Sequence, residues 1–249
     1  MRILCTNDDG LHSHGLAVLT GVCRKIGEVS CVAPDREQSA TSHSLTLHRP
    51  LRAIPNGADR WQVDGTPTDC VVLAMGALLA PPPEVVVAGI NHGPNMGEDV
   101  LYSGTVAAAM EALILGVPGI AISFAGSEYD LIETYRERLE RLLRRILQAG
   151  RLSGDTLLNI NLPPVPSDEV RGVRVTTLGK RIYAESLSRM RDPWGREIFW
   201  IGGGRLDWSG GEDVDFKAVE DGCISVTPLH VDLTNYRLLE SVRAWRLDE

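Results

Sequence analysis

The chain has 249 residues, of which 43% are hydrophobic and 23% charged, and its formal net charge is -8. This is the composition of a globular protein able to bury a real core, as one large domain or two small ones. The acidic balance excludes a surface that attracts nucleic acid or anionic membrane non-specifically, so a bound anion needs a local positive site: backbone N–H groups, a helix N-terminus or a metal.

Residues 2–6 (RILCT) read as a short strand that ends on Asn7, Asp8, Asp9 and Gly10. Residues 12–27 carry Leu16, Leu19, Val22, Cys23 and Ile26 as a helical stripe, closed by Gly27. Residues 29–33 (VSCVA) form a second strand ended by Pro34, which completes a βαβ unit. Residues 35–48 (DREQSATSHSLTLH) hold too many hydroxyls for a core strand and predict a loop that becomes extended at 44–47. A short strand at 61–64 leads into a helix start: Thr66 as N-cap, Pro67 at the first helical position and Asp69 in the first turn. That helix is expected to run through 79 and stop at Pro81, Pro82 and Pro83.

Residues 85–90 are apolar on both faces, as a central parallel strand should be. A Gly-rich loop follows, then a helix over 103–115 and a buried strand over 119–124. The spacing predicts a long helix over 129–149, with Leu131, Tyr135, Leu139, Leu142, Leu143, Ile146 and Leu147 on one face and a solvated charged back. Residues 157–162 give another strand. From Pro163 the character shifts to short β pieces at 173–177 and 197–201 between Gly-rich stretches, including Gly202, Gly203 and Gly204. These predict a hairpin excursion from the sheet over about 170–215, an arm of the kind that serves oligomer contacts. Residues 223–227 return to strand and 234–245 are expected to close the chain as a helix. The expectation is a single α/β domain over 1–249, with its core over about 1–162 and 223–249.

The five cysteines (Cys5, Cys23, Cys31, Cys70 and Cys223) form no CxxC pair and read as buried thiols in a reducing compartment. No apolar run reaches the roughly 20 residues of a membrane span, and a strand beginning at residue 2 does not read as a signal peptide. The expected location is cytoplasmic, without a membrane partner.

Strands that stop at polar, Gly-rich loops before helices should place those loops on one rim of a parallel sheet, where open α/β folds bind ligands. Asp8 and Asp9 are adjacent carboxylates at such a place. They read either as a turn or as a divalent metal site, since ionising both costs free energy unless a cation is present. Oxygen-only ligands suit Mg²⁺ or Mn²⁺ better than Zn²⁺. Ser39, after the second strand, and Asn91, after the buried strand, could bring further oxygens, though either could simply cap its strand. Asn95 and the helix start Ser103-Gly104-Thr105 make a plausible phosphate cradle, with Gly93, Gly97 and Gly104 allowing close backbone approach. A metal beside an anion cradle describes phosphoryl-oxygen chemistry. The GxGxxG of a dinucleotide fold and the Walker A loop are both absent. An aspartyl-phosphate phosphatase stays open, although such enzymes space their carboxylates as DxD. His12, His14 and His92 lie near these loops as candidate proton donors.

The segments RILCTNDDG, APDREQSATSHSLT, GTPTDC and AGINHGPNMGEDVLYSGTVAAAMEA, in that order, resemble the SurE family (survival protein E, 5'/3'-nucleotidase), with weaker continuation through LNINLP and TPLHVDLT. The resemblance implies a Rossmann-like α/β phosphatase with a mostly parallel sheet flanked by helices. It implies one divalent ion per subunit, Mg²⁺ or Mn²⁺, held by Asp8, Asp9, Ser39 and Asn91. It places phosphate contacts at Asn95, Ser103, Gly104 and Thr105, with Asp8 or Asp9 taking the proton of the attacking water. It further implies a homodimer or homotetramer built through an extended hairpin and an exchanged, extended C-terminal segment. The expected reaction is hydrolysis of nucleoside 5'- and 3'-monophosphates. A broad acid phosphatase or exopolyphosphatase at the same site, or a non-catalytic nucleotide sensor, are the alternatives.

Overall fold

A computed structural model describes residues 1–148, 152–183, 187–201 and 206–247. In chain order the elements are β1 (Arg2–Thr6), α1 (His14–Cys23), β2 (Glu28–Pro34), β3 (Ala53–Pro55), β4 (Arg60–Val63), α2 (Pro67–Leu73), β5 (Val85–His92), α3 (Gly104–Ile114), β6 (Gly119–Phe124), α4 (Arg136–Ile146) and β7 (Leu157–Leu162). There follow β8 (Gly172–Val175), β9 (Lys180–Tyr183), β10 (Leu187–Arg191), β11 (Glu197–Ile201), β12 (Leu206–Ser209), α5 (Asp215–Glu220), β13 (Cys223–Pro228) and α6 (Leu239–Arg243).

Nine strands form the main sheet in the order β3-β4-β2-β1-β5-β6-β7-β13-β8. Every neighbouring pair from β4 to β7 is parallel. The strand β3 runs antiparallel to β4, and β13 runs antiparallel to β7 and parallel to β8. The winding reverses at β1, which has β2 on one side and β5 on the other. This reversal opens a crevice at the carboxyl ends of β1 and β5.

The two-residue period of a strand sends alternate side chains to opposite faces. Ile3, Cys5, Val85 and Val87 join the core that includes Leu16 and Leu19 of α1 and Leu139 and Leu143 of α4. Leu4, Val86 and Ala88 face the other way, onto Val71 of α2 and Ala108 and Ala112 of α3. The result is the Rossmann-like α/β architecture expected, with helices on both faces. Each fully buried Leu or Val contributes about 1.5–3 kcal/mol to holding the layers together.

Several boundaries differ from the periodicity. The helix expected over 129–149 begins as a 3₁₀ segment, Tyr129–Tyr135, before α4; residue 149 lies outside the described residues. The closing helix shrinks to α6, which buries no residue, and residues 231–241 are exposed. Its leucines have no layer to face, so the C-terminal segment is an extended strap and not part of the core. The excursion consists of two antiparallel ladders, β10–β11 and β9–β12, while β8 belongs to the main sheet. Gly202, Gly203 and Gly204 lie outside the described residues.

Candidate active site

Thr6 of β1 pairs with Ala88 of β5 in parallel register, so the loops that follow both strands open on the same rim. The first of these loops is a turn closed by Asn7. Its Nδ2 donates to Gly10 O at 3.1 Å and to Ser13 Oγ at 2.6 Å. Ser13 also N-caps α1, accepting the Leu16 N–H. One buried amide thereby fixes the turn to the helix behind it.

Asp8 is 4% exposed. Its main-chain O accepts the Gln38 N–H at 2.7 Å, which draws the loop bearing Ser39 toward β1. Its carboxylate accepts the Thr105 hydroxyl and also the Thr105 N–H. Burial nonetheless pushes the Asp8 carboxyl above its ordinary value. Asp9 beside it is half-buried; burial first, then the charge of Asp8, push its carboxyl up to about 6, against the opposing His92 N–H. Asp9 Oδ2 is buried with no hydrogen-bond partner, and so is Asn7 Oδ1.

The helix α3 approaches this pair end-on. Ser103 caps it, accepting the Val106 N–H at 3.1 Å. A Cβ on Gly104 would stand 2.9 Å from Asp8 Cβ, so only glycine lets the helix start this close. Thr105 departs from expectation. Its hydroxyl and N–H are turned onto Asp8 and it does not line the cavity, so it holds a carboxylate instead of facing a phosphate.

At the end of β5, Asn91 uses its Nδ2 on Gly93 O at 2.9 Å, which leaves Oδ1 as the atom available to a cation. The Tyr129 hydroxyl donates to Ile90 O, and the His92 ring stacks on the Tyr129 ring at 4.4 Å. Asn95 is 7% exposed. Its Nδ2 donates to Ser123 Oγ at 2.8 Å and its N–H to Asn161 Oδ1 at 2.9 Å.

Asp8, Ser39, Asn91, His92, Asn95 and Ser103 line one cavity of about 730 Å³, together with Asp99, Tyr102, Arg181 and Ile201. That size suits a small organic ligand. Of the three candidate histidines only His92 lines it; His14 sits 3.3 Å from Glu133. Arg181 arrives from β9 and pairs with Asp99, a contact no local pattern in the sequence announces. Asn159 and Asn161 did leave a signal, two amides on one face of an otherwise apolar strand.

The residues present fit a hard divalent cation. Among the described residues no group of three or more His, Cys, Asp and Glu could hold a metal. Asp8, Ser39 and Asn91 line the cavity and Asp9, next in sequence to Asp8, does not; an all-oxygen set of two carboxylates and two neutral groups suits a hydrated Mg²⁺ or Mn²⁺ better than Zn²⁺. The orphaned Asp9 oxygen is the observation that a cation would satisfy. Ser39 Oγ donates to Glu37 Oε1 at 2.6 Å, which keeps its lone pairs for another partner.

Fold and site together define a Rossmann-like α/β protein with a carboxylate-bearing crevice at its switch point. The family described as "Survival protein SurE" matches residues 3–185. The chain belongs to the SurE family, and it is an enzyme of that family. It is 59% identical over 248 residues to the 5'-nucleotidase SurE of Gemmatimonas aurantiaca, covering 98% of each chain. It is 49% identical to the 5'-nucleotidase SurE of Methylococcus capsulatus, covering 98% of this chain and 97% of the relative. The crystal structure of the SurE protein from Aquifex aeolicus superposes with a TM-score of 0.87 at 40% identity, covering 98% of this chain and 99% of the other.

Proposed function

We propose that the chain is a divalent-cation-dependent phosphomonoesterase that hydrolyses nucleoside 5'- and 3'-monophosphates. The carboxylate pair carries the reading: Asp8 and Asp9 are both pushed up by burial, and one Asp9 oxygen has no partner. Such a pair in an acidic protein repels a phosphate unless a cation lies between them. Asp8, Asp9, Ser39 and Asn91 hold that ion, one Mg²⁺ or Mn²⁺ per subunit. When bound, the ion supplies Lewis-acid polarisation of the phosphoryl group and a lowered pKa for water.

Asp8 or Asp9 accepts the proton of the attacking water. Asn95, the Ser103 hydroxyl and the Gly104 N–H take up charge on the phosphoryl oxygens, where losing one such donor costs about 3 kcal/mol of barrier; the Ser103 N–H is already given to Asp99 O. Thr105 acts through Asp8. The curated relatives' name, 5'-nucleotidase, supports a nucleotide as substrate. The β10–β11 hairpin exposes Trp194 (79%) and Trp200 (65%), aromatic surface that suits an interface, and supports assembly as a homodimer or homotetramer. The buried free thiols suit a reducing cytoplasm, and the acidic balance argues against a nucleic-acid duplex as partner.

The test is phosphate release from 5'-AMP and 3'-AMP with EDTA and with Mn²⁺ restored. Hydrolysis stops in EDTA and returns with the metal, and Asp9→Asn abolishes it while the far-UV spectrum stays native. Wild-type turnover in either case refutes the reading. Polyphosphate in the same assay identifies a broader phosphatase, and AMP binding without phosphate release identifies a sensor.

A further inference from the structure

Beneath the cavity the central sheet carries a polar layer where an apolar one would be cheaper. Ser123 on β6, Asn159 and Asn161 on β7, and Ser225 on β13 are all fully buried. They are neighbours in register: Asn161 lies opposite Ser123 across β6–β7 and opposite Ser225 across β7–β13. A buried amide destabilises the fold unless its hydrogen bonds are made, so the partners of this layer indicate its use.

Asn159 Oδ1 and Ser225 Oγ are buried without a partner, but the hydrogen bonds made by Ser123, Asn159 Nδ2 and Asn161 converge on one residue of the cavity wall. Asn161 Oδ1 accepts the Asn95 N–H at 2.9 Å, and Asn161 Nδ2 donates to Asn95 O at 3.0 Å. Asn159 Nδ2 donates to the same carbonyl at 2.7 Å. Ser123 Oγ accepts from Asn95 Nδ2 at 2.8 Å, which leaves the second hydrogen of that amide for another acceptor. A primary amide offers one acceptor and one donor side by side, as a peptide group does. Among side chains only Asn and Gln can grip the N–H and the C=O of a single residue in this way. A second anchor holds the loop nearby: the Gly97 N–H donates to Asp215 Oδ2 at 2.9 Å.

We infer that Asn161 is a positioning residue for the reaction. Through its two hydrogen bonds to the Asn95 backbone it sets where the Asn95 amide meets the phosphoryl group, without lining the cavity itself. The inference rests on the role given to Asn95 above. Asn159 still holds the Asn95 carbonyl and Asp215 the loop two residues on, so losing Asn161 frees the Asn95 N–H and shifts Asn95 without releasing the whole segment.

The experiment is a double-mutant cycle on the full chain, with 5'-AMP as substrate and Mn²⁺ as the metal. Asn161→Ala is expected to lower kcat about 100-fold, the scale for a reacting group misplaced by roughly 1 Å. The Kd for Mn²⁺ should change by less than about twofold, since Asn95 is not in the metal set. In an Asn95→Ala background the same substitution should lower kcat by less than about twofold further. Asn161→Ser replaces the alanine variant if the latter fails to fold by circular dichroism. An equal loss of kcat in both backgrounds, or wild-type kcat in the single variant, overturns the inference alone. Wild-type kcat in Asn95→Ala overturns the role of Asn95 as well, and the inference with it.

Discussion

Replacing Asp9 by Asn removes a carboxylate that the metal-free fold holds at a cost. Burial and the neighbouring Asp8 raise its pKa from 3.8 up to about 6. At 1.36 kcal/mol per pH unit this difference corresponds to about 3 kcal/mol in favour of the neutral form. Asp9 is only half-buried, and solvent screening reduces the expected effect to about 1–2 kcal/mol. The folded carboxyl titrates above the unfolded one, so the folded protein binds more protons between about pH 4 and 6. Stability therefore falls as pH rises through that window, and the whole penalty is present above it. In EDTA, Asp9→Asn should be more stable than wild type by about 1–2 kcal/mol at pH 8 and no more stable at pH 4. Mn²⁺ should stabilise wild type at pH 8 and leave the variant unmoved. Urea unfolding followed by tryptophan fluorescence at both pH values, with EDTA and with Mn²⁺, measures all of this. A variant less stable than wild type at pH 8 in EDTA, or a difference that ignores pH, would refute the reasoning.

Gly104→Ala puts a methyl group 2.9 Å from Asp8 Cβ and 3.0 Å from Asp8 Oδ2; kcat/KM for AMP should fall about 100-fold or more as the carboxylate is displaced, read by steady-state kinetics. Thr105→Val removes the hydroxyl that holds the Asp8 carboxyl down, so the acid limb of the kcat/KM profile should move to higher pH; an unmoved limb would disconnect Asp8 from turnover. His43→Ala strips the buried Glu111 of its 2.7 Å partner. It should cost about 1–3 kcal/mol in denaturant unfolding and weaken Mn²⁺ binding by calorimetry, because His43 tethers the loop that carries Ser39.

The rim of the site was legible because its signals are local. The apolar runs of β1 and β5 end abruptly on polar glycine-rich loops. Thr66 and Asp69 form a reciprocal capping box, with bonds of 3.1 and 2.8 Å. Where distant contacts decide, the pattern misled. The helix expected to run through 79 does so as far as Leu78, but its last turn, Ala74–Leu78, widens from α to π. The 129–135 segment winds as 3₁₀ while Tyr129 is tied to Ile90 O and Tyr135 to Pro163 O and Val165 O. The strand β3 is three residues long and contains Pro55, which strand propensity rejects. Thr105 looked like an anion donor because it stands at a helix start; only the approach of α3 to the loop after β1 shows that an internal carboxylate, Asp8, already occupies it. Arg181 reaches the cavity through the docking of β9 beside the loop after β5, where its N–H donates to Glu98 Oε2 at 2.6 Å.

The excursion of β9 to β12 leaves and rejoins the body through a pinched neck. The Thr177 N–H donates to Asp213 O at 2.9 Å and the Asp215 N–H returns to Thr177 O at 2.9 Å. Two chain ends held that close can be bridged by a turn of a few residues, so the insertion can grow, shrink or be exchanged without disturbing the register of β13 between β7 and β8. Assembly can then diversify while the chemistry stays put, with Arg181 and Ile201 as the footholds of the insertion in the cavity, among the described residues, that such exchange would have to keep.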